Sequence, residues 1–189
     1  AKLGVYVISD EVYKDLIYER GNYIVKGKHV VTINSFSKTY AMCGLRVGYL
    51  WSSDQRIVQA VADIKVHTSM NTNTLGQEMA LRAMSVPSSF VAKQTAIWRE
   101  RRDIIYKGLC DMGFSLWKPE GAFYVLPNIR NSSRVVSDLF YEHKTIVYDG
   151  AWFGAPNRIR LSYALDAPLI KEGLGRIKKY LRGKENWLK

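Results

Sequence analysis

The chain has 189 residues, of which 47% are hydrophobic and 24% are charged, a composition typical of a soluble globular protein. Disorder and a coiled coil both fit poorly, and no apolar stretch approaches the roughly 20 residues that a membrane-spanning helix needs. Because no secretory signal pattern is present either, we expect a cytoplasmic protein.

The formal net charge is +11, and the basic residues concentrate in 93–107 and 176–189, where we predict helices with solvated basic faces. Charge alone does not distinguish nucleic acid, an acidic membrane, and an anionic cofactor or substrate as partners. No nucleic-acid-binding motif accompanies the charge, so nucleic acid is the weaker alternative. Cys43 and Cys110 lie far apart without metal-ligand spacing, which predicts no metal site and two ordinary packing residues.

The first predicted elements are three apolar runs, which we expect to be strands of a covered, largely parallel sheet. They are Val5–Ser9, Val30–Asn34 and Arg46–Trp51. Ser52–Asp54 then offers capping groups for a helix, and Ile57, Val58, Val61 and Ile64 recur at helical spacing. A second helix is predicted over Thr74–Met84.

Pro87 marks the start of a longer helical pattern, Phe90–Leu109, which Gly113 ends. Shorter alternating elements follow and indicate a small α+β domain. We predict strands near Phe114–Trp117, Ala122–Pro127, Thr145–Tyr148 and Ile159–Tyr163, and helices over Ser132–His143 and Ala167–Arg182. These patterns divide the chain into domains at residues 1–100 and 101–189.

One segment, Ser35–Tyr49, combines an amine with groups that can bind an anion. Lys38 follows a predicted buried strand, where desolvation would favour the neutral, nucleophilic amine. Ser35 and Ser37 flank it, and Arg46 follows, so donors suited to a phosphate converge beside the amine. An aldehyde that also carries a phosphate would match both features, and pyridoxal phosphate is such a molecule.

This segment resembles, almost position for position, the S-x-S-K-x-x-x-x-x-G-x-R-x-G-Y signature of the class I and II, fold type I, aminotransferases. The resemblance implies that Lys38 holds pyridoxal 5'-phosphate as a Schiff base and moves the proton during catalysis. It also implies that Ser35, Ser37 and Arg46 bind the cofactor phosphate. The fold implied is α/β: the C-terminal part of the large domain, with a mostly parallel sheet, followed by the small α+β domain.

Ser9–Tyr13, at the end of the first predicted strand, is similar to the D-E-x-Y element of the same family. The resemblance gives Asp10 the role of pairing with the pyridine nitrogen of the cofactor and Tyr13 that of donating to its ring oxygen. Ligands of open α/β sheets bind outside the carboxyl ends of parallel strands, which is where this element lies.

Asn157–Tyr163 resembles the R-[LIV]-S strand of the family, in which an arginine forks onto the substrate α-carboxylate. Motif register assigns this role to Arg160, with Arg158 as the rival two residues earlier. The stretch Val147–Gly150 departs from the usual V-x-P-G, because Asp149 stands where proline is expected. That departure leaves open how Trp152 and Phe153 meet the substrate.

The leading interpretation is a transaminase of the aspartate-aminotransferase type that acts on an amino acid and a 2-oxo acid. The resemblance also implies a homodimer. The resemblance covers the whole chain but about half of a family member, so we expect a C-terminal half that is inactive alone. A lyase or synthase of the same fold is one alternative. A non-catalytic basic binding module is the other.

Overall fold

The computed structural model describes residues 3–19, 21 and 24–188, with the side chain of residue 185 left aside. The chain divides into two compact units, Ala1–Thr95 and Ala96–Lys189, and the boundary falls inside a helix. No helix in the described ranges is long and apolar enough to cross a membrane.

The first unit contains a three-stranded sheet in the order β1 (Val7–Asp10), β2 (Val30–Ser35), β3 (Gly48–Ser52). β1 and β2 are parallel, whereas β2 and β3 are antiparallel. The expectation of a largely parallel sheet therefore holds for one of the two pairings in the described residues. The β2–β3 connection holds only α1 (Phe36–Thr39) and a 3₁₀ turn, Cys43–Leu45, and no long crossover helix that would return the chain for parallel pairing.

The strands of this sheet are more exposed than their apolar sequences predict. Val30 and Val31 are buried, but Ile8 is 70% exposed and Trp51 56% exposed. An apolar run is suited to a strand that is covered on both faces of the sheet. The described residues do not cover both faces of this one. The core that they do form packs Phe36 and Val47 against Ala80 and Ala83.

Two capped helices, α2 and α3, follow β3 in the first unit. In α2 (Gln55–Thr68), the cap is Asp54, which accepts from the Arg56 N–H and confirms the predicted capping segment. In α3 (Thr74–Ala83), the cap is Asn73, which accepts from the Gly76 N–H. The Asn73 amide also donates to the Leu45 carbonyl at 2.9 Å, and this bond ties the start of α3 to the 3₁₀ turn.

The second unit joins an antiparallel sheet, in the order β4-β6-β5, to helices. Its elements are α4 (Ser88–Asp111), which begins in the first unit, β4 (Tyr124–Val125), α5 (Ser132–Tyr141), β5 (Tyr148–Asp149), β6 (Ile159–Ser162) and α6 (Ala167–Tyr180). Its buried apolar side chains include Ile105, Leu109, Val125, Val135, Leu139, Ile159, Leu161, Ile170 and Ile177.

Two sequence-based predictions are wrong: a strand in the second unit and the environment of the two cysteines. Phe114–Trp117 forms no strand. In the described part of the chain, its backbone bonds to the Asn128 N–H through the Ser115 carbonyl at 2.9 Å and to the Leu109 carbonyl through the Phe114 N–H at 3.1 Å, which is no strand ladder. Cys43 and Cys110 were predicted to be packing residues, and both are exposed free thiols. A free cysteine can be present for its packing or for its reactivity, and composition alone does not show which of the two applies.

Candidate active site

The parallel pairing of β1 and β2 brings the ends of both strands to one edge of the sheet. Asp10 is the last residue of β1 and pairs with Ile33, two residues before the end of β2 at Ser35. The exposed Asp10 carboxylate accepts from the Val12 N–H at 3.1 Å, which starts the turn toward Tyr13. The sheet therefore places the Asp10 turn beside the segment that carries Lys38.

Lys38 lies on α1, the four-residue helix directly after β2. Ser35 is the N-cap of this helix, because the backbone there is extended and the Ser35 hydroxyl accepts from the Ser37 N–H at 3.1 Å. The half-buried Lys38 Nζ lies 5.8 Å from the centre of the Tyr13 ring. The amine and the phenol, which are far apart in the chain, are thus brought together.

Cys43 lies next to Lys38, a proximity that the sequence did not predict. Lys38 Nζ lies 4.0 Å from the Cys43 sulfur, and the thiol donates to the Ser37 carbonyl at 3.1 Å. The loop after α1 folds back to make this contact, with the Cys43–Leu45 turn at its far end. Two cysteines without a shared motif gave no signal for this proximity.

The expected anion-binding groups lie on the same short segment. The Ser35 and Ser37 hydroxyl oxygens are 2.9 Å apart, and the Ser35 hydroxyl is also 3.1 Å from the Val47 carbonyl. Arg46 is exposed, has a left-handed backbone (φ 55°), and donates to the Cys43 carbonyl at 2.8 Å. Two hydroxyls and a guanidinium thus lie on the same segment as Lys38, residues 35–46, and together they form a donor set suited to a phosphate.

In the second unit, Arg160 lies on β6 among three aromatic rings. Its guanidinium carbon is 3.7 Å from the ring centre of Phe153, 4.6 Å from that of Tyr124 and 5.1 Å from that of Tyr148. Tyr148 is directly opposite Arg160 in the β5–β6 pairing. Aromatic faces attract a guanidinium, so these contacts restrict the side chain.

The rival arginine, Arg158, has a different environment. It precedes β6, forms an isolated bridge with Asn128, and accepts at its carbonyl from the Gly150 N–H at 2.8 Å. Only Arg160 of the two has a ring contact among the described residues. Phe153 could be singled out from the sequence as a residue near the substrate. Tyr124 and Tyr148 could not, because their proximity to Arg160 depends on strand pairing.

Asp149 is a buried carboxylate, only 3% exposed, just before the 3₁₀ turn Gly150–Phe153. It accepts from the Ser133 hydroxyl, from the Ser132 hydroxyl at 2.8 Å and from the Ala151 N–H at 3.0 Å. These donors, Ser133 first, hold the pKa of Asp149 below its usual range although burial acts in the opposite direction. The unusual aspartate therefore caps the turn.

Comparisons with known proteins place the chain in a family. The family model "Aminotransferase class I and II" matches residues 1–177. The aspartate aminotransferase of Thermotoga maritima is 35% identical over 97% of this chain, and that of Geobacillus stearothermophilus is 31% identical over 96%. The chain belongs to the class I and II aminotransferases.

Solved structures match the fold at the same level. A crystal structure of the Thermotoga maritima aspartate aminotransferase superposes with a TM-score of 0.88 at 35% identity, over 96% of this chain and 49% of that one. An aromatic aminotransferase from Pyrococcus horikoshii gives 0.87 at 30% identity, over 95% and 52%. The chain spans about half the length of the curated relatives it matches: 49% of the Thermotoga maritima protein and 50% of the Geobacillus stearothermophilus protein.

The lowered pKa of Asp149 predicts a pH-dependent contribution to stability. A carboxyl whose pKa is depressed by folding stabilises the protein above its unfolded pKa, and the contribution disappears as pH falls through the folded pKa. Asp149→Asn should therefore lower the free energy of unfolding at pH 7. The difference from wild type should shrink below about pH 4, the ordinary range of an aspartate.

Urea unfolding of the full-length protein containing this chain, measured at a series of pH values from 7 down to below 4, checks this prediction. Asp63→Asn, at an exposed position of α2, is the matched control and should leave the pH profile unchanged. A difference between wild type and Asp149→Asn that stays constant with pH would contradict it.

Proposed function

We propose that this chain is part of a pyridoxal-phosphate-dependent aminotransferase, which moves an amino group from an amino acid to a 2-oxo acid. The observation that carries the proposal is the position of the Lys38 amine. It projects from a short capped helix at the carboxyl edge of a parallel strand pair, and its Nζ lies 5.8 Å from the Tyr13 ring centre. An amine in this position can form a Schiff base with a carbonyl group.

The donor set fits pyridoxal phosphate. Ser35, Ser37 and Arg46 offer hydroxyl and guanidinium groups for a phosphate, and Lys38 offers an amine for an aldehyde. When bound, the cofactor supplies an aldehyde that links covalently to amines and a ring that accepts an electron pair from the substrate carbon. The chain's own residues hold it, orient it and move protons.

Each residue then has a definite task. With pyridoxal phosphate bound, Lys38 Nζ would be the amine that holds its aldehyde and would serve as the base that takes the proton from the substrate Cα. The Asp10 carboxylate would pair with the ring nitrogen and favour its protonated form. The Tyr13 hydroxyl would donate to the ring oxygen, and Arg160 would hold the substrate α-carboxylate in a forked ion pair.

The same proposal covers the domains and the substrate. We assign residues 1–100 to the C-terminal part of the large cofactor-binding domain and 101–189 to the small domain. Aspartate is our first choice of amino donor, because three relatives that align with nearly the whole chain carry the name aspartate aminotransferase. Another relative is named asparagine–oxo-acid transaminase, so donor screening should include both amino acids.

Replacing Lys38 by alanine should remove the group that transfers the proton. In the full-length protein containing this chain, Lys38→Ala should lower kcat by about 10²–10⁴-fold, the usual contribution of a general base. Coupled assay of 2-oxo acid formation measures this. Lys107→Ala, an exposed lysine of α4 paired with Asp111, is the control and should retain wild-type turnover. Equal activity in Lys38→Ala and wild type would rule out the assignment.

Arg160 and Arg158 can be separated by the same conservative change. A lysine cannot form the two parallel hydrogen bonds of an arginine–carboxylate fork. Arg160→Lys should therefore raise KM for the amino donor by about tenfold or more, whereas Arg158→Lys should leave it within about twofold. The opposite ranking would transfer the carboxylate role to Arg158.

We propose that the full-length enzyme is a homodimer. Exposed apolar side chains on α3, including Leu75 at 66% and Leu81 at 60% exposure, support the proposal because they offer a surface for contact with a second subunit. Sedimentation equilibrium should give twice the mass of the full-length chain, and a monomer mass at micromolar concentration would refute the assembly.

A further inference from the structure

The turn that follows β5 is fastened at both ends by polar groups. Asp149 carries the fastening, because its carboxylate binds the hydroxyls of Ser132 and Ser133 at the start of α5 and the Ala151 N–H of the turn itself. At the other end, the Ala155 N–H donates to the Gly150 carbonyl at 2.9 Å. A buried carboxylate with three donors is a strong constraint on local geometry.

The turn also packs closely against the chain that enters β6. A Cβ atom at Gly150 would lie 2.3 Å from the Ala155 carbonyl oxygen and 2.7 Å from that of Arg158. Only glycine fits at such a distance, and the Gly150 N–H also donates to the Arg158 carbonyl at 2.8 Å, which ties the turn to this segment. Its position relative to β6 is therefore fixed by both packing and hydrogen bonds.

Asp149 lies in the chain between two of the rings that contact Arg160. Tyr148 precedes it directly, and Phe153 ends the 3₁₀ turn that it caps. The Phe153 ring centre is 3.7 Å from the guanidinium carbon of Arg160, and that of Tyr148 is 5.1 Å away. Any shift of the Asp149 backbone would move one or both rings relative to the guanidinium.

We propose that Asp149 is a positioning residue, which holds Tyr148 and Phe153 against Arg160 and thereby orients its guanidinium for the substrate carboxylate. This inference rests on the proposed function of Arg160. An arginine side chain has several rotatable bonds, and a carboxylate fork needs its plane in one orientation. Rings that cover the guanidinium restrict that freedom before the substrate arrives, so less is lost on binding.

The backbone at Asp149 explains how an aspartate can occupy a position where the related pattern has proline. Its φ of −65° and ψ of 126° coincide with the conformation to which a proline ring confines the chain. The ring fixes this angle covalently, whereas Asp149 fixes it through hydrogen bonds to Ser132, Ser133 and Ala151. The two residues are thus alternative means to one turn geometry.

The test compares four variants of the full-length protein with wild type. Asp149→Ala should raise KM for the amino donor by about tenfold and change kcat by less than about threefold, since binding and not chemistry is affected. The Kd for succinate, an unreactive dicarboxylate, should rise in parallel by calorimetry. Ser133→Ala, a milder change, should shift both constants in the same direction by a smaller factor.

Asp149→Pro should return both constants to within about threefold of wild type, because it restores the backbone angle without the carboxylate. Tyr180→Phe is the matched structural control. It removes a buried hydroxyl that donates to Asp138 at 2.9 Å in the same unit, and it should lower Tm without changing KM or the succinate Kd.

Two failures are distinguishable. If wild type turns over but Asp149→Ala and Ser133→Ala lower Tm as Tyr180→Phe does, with KM and the succinate Kd unchanged, Asp149 is a structural residue and the positioning proposal is wrong. If wild type neither transaminates any amino acid nor binds succinate, the proposed function fails, and the positioning proposal fails with it.

Discussion

The candidate site depends first on the parallel pairing of β1 and β2. Parallel strands end at the same edge, so pairing Asp10 with Ile33 brings the Asp10–Tyr13 turn next to the Ser35–Lys38 segment. An antiparallel arrangement of these two strands would send their carboxyl ends to opposite edges. The contact between Lys38 and the Tyr13 ring is therefore a consequence of topology.

Local chemistry then refines what the topology provides. Ser35 ends β2 and caps α1 with one hydroxyl, which places Lys38 one helical turn beyond the strand end. In the second unit, the buried Asp149 carboxylate has the corresponding role, because it closes the turn that carries Phe153. In both units, a short polar side chain caps the turn or helix that carries a residue of the candidate site.

The local motifs and most elements could be predicted from sequence, because they depend on neighbouring residues. The Asp54 cap and the start of α3 at Thr74 are examples. The absence of a strand at Phe114–Trp117 could not be predicted, since a strand forms only if a partner strand bonds to it. The same holds for the rings around Arg160, which come from β4, β5 and a turn that are brought together by strand pairing.

The apolar content of β1 was a correct indication of a strand and a poor guide to its exposure. Ile8 is suited to a covered sheet yet is 70% exposed among the described residues. The role of Asp149 was also hidden, because its partners Ser132 and Ser133 lie well before it in the chain and only the fold brings them to its carboxylate. Single-sequence patterns record which environment a residue suits, whereas its partners follow from the fold.

The most direct test of the central claim is to locate the lysine that binds the cofactor. The full-length protein containing this chain would be incubated with pyridoxal phosphate, reduced with borohydride, digested and mapped by mass spectrometry. We expect one stoichiometric pyridoxyl adduct, on the peptide that carries Lys38. A stoichiometric adduct on another lysine, or no adduct in a folded protein, would contradict it.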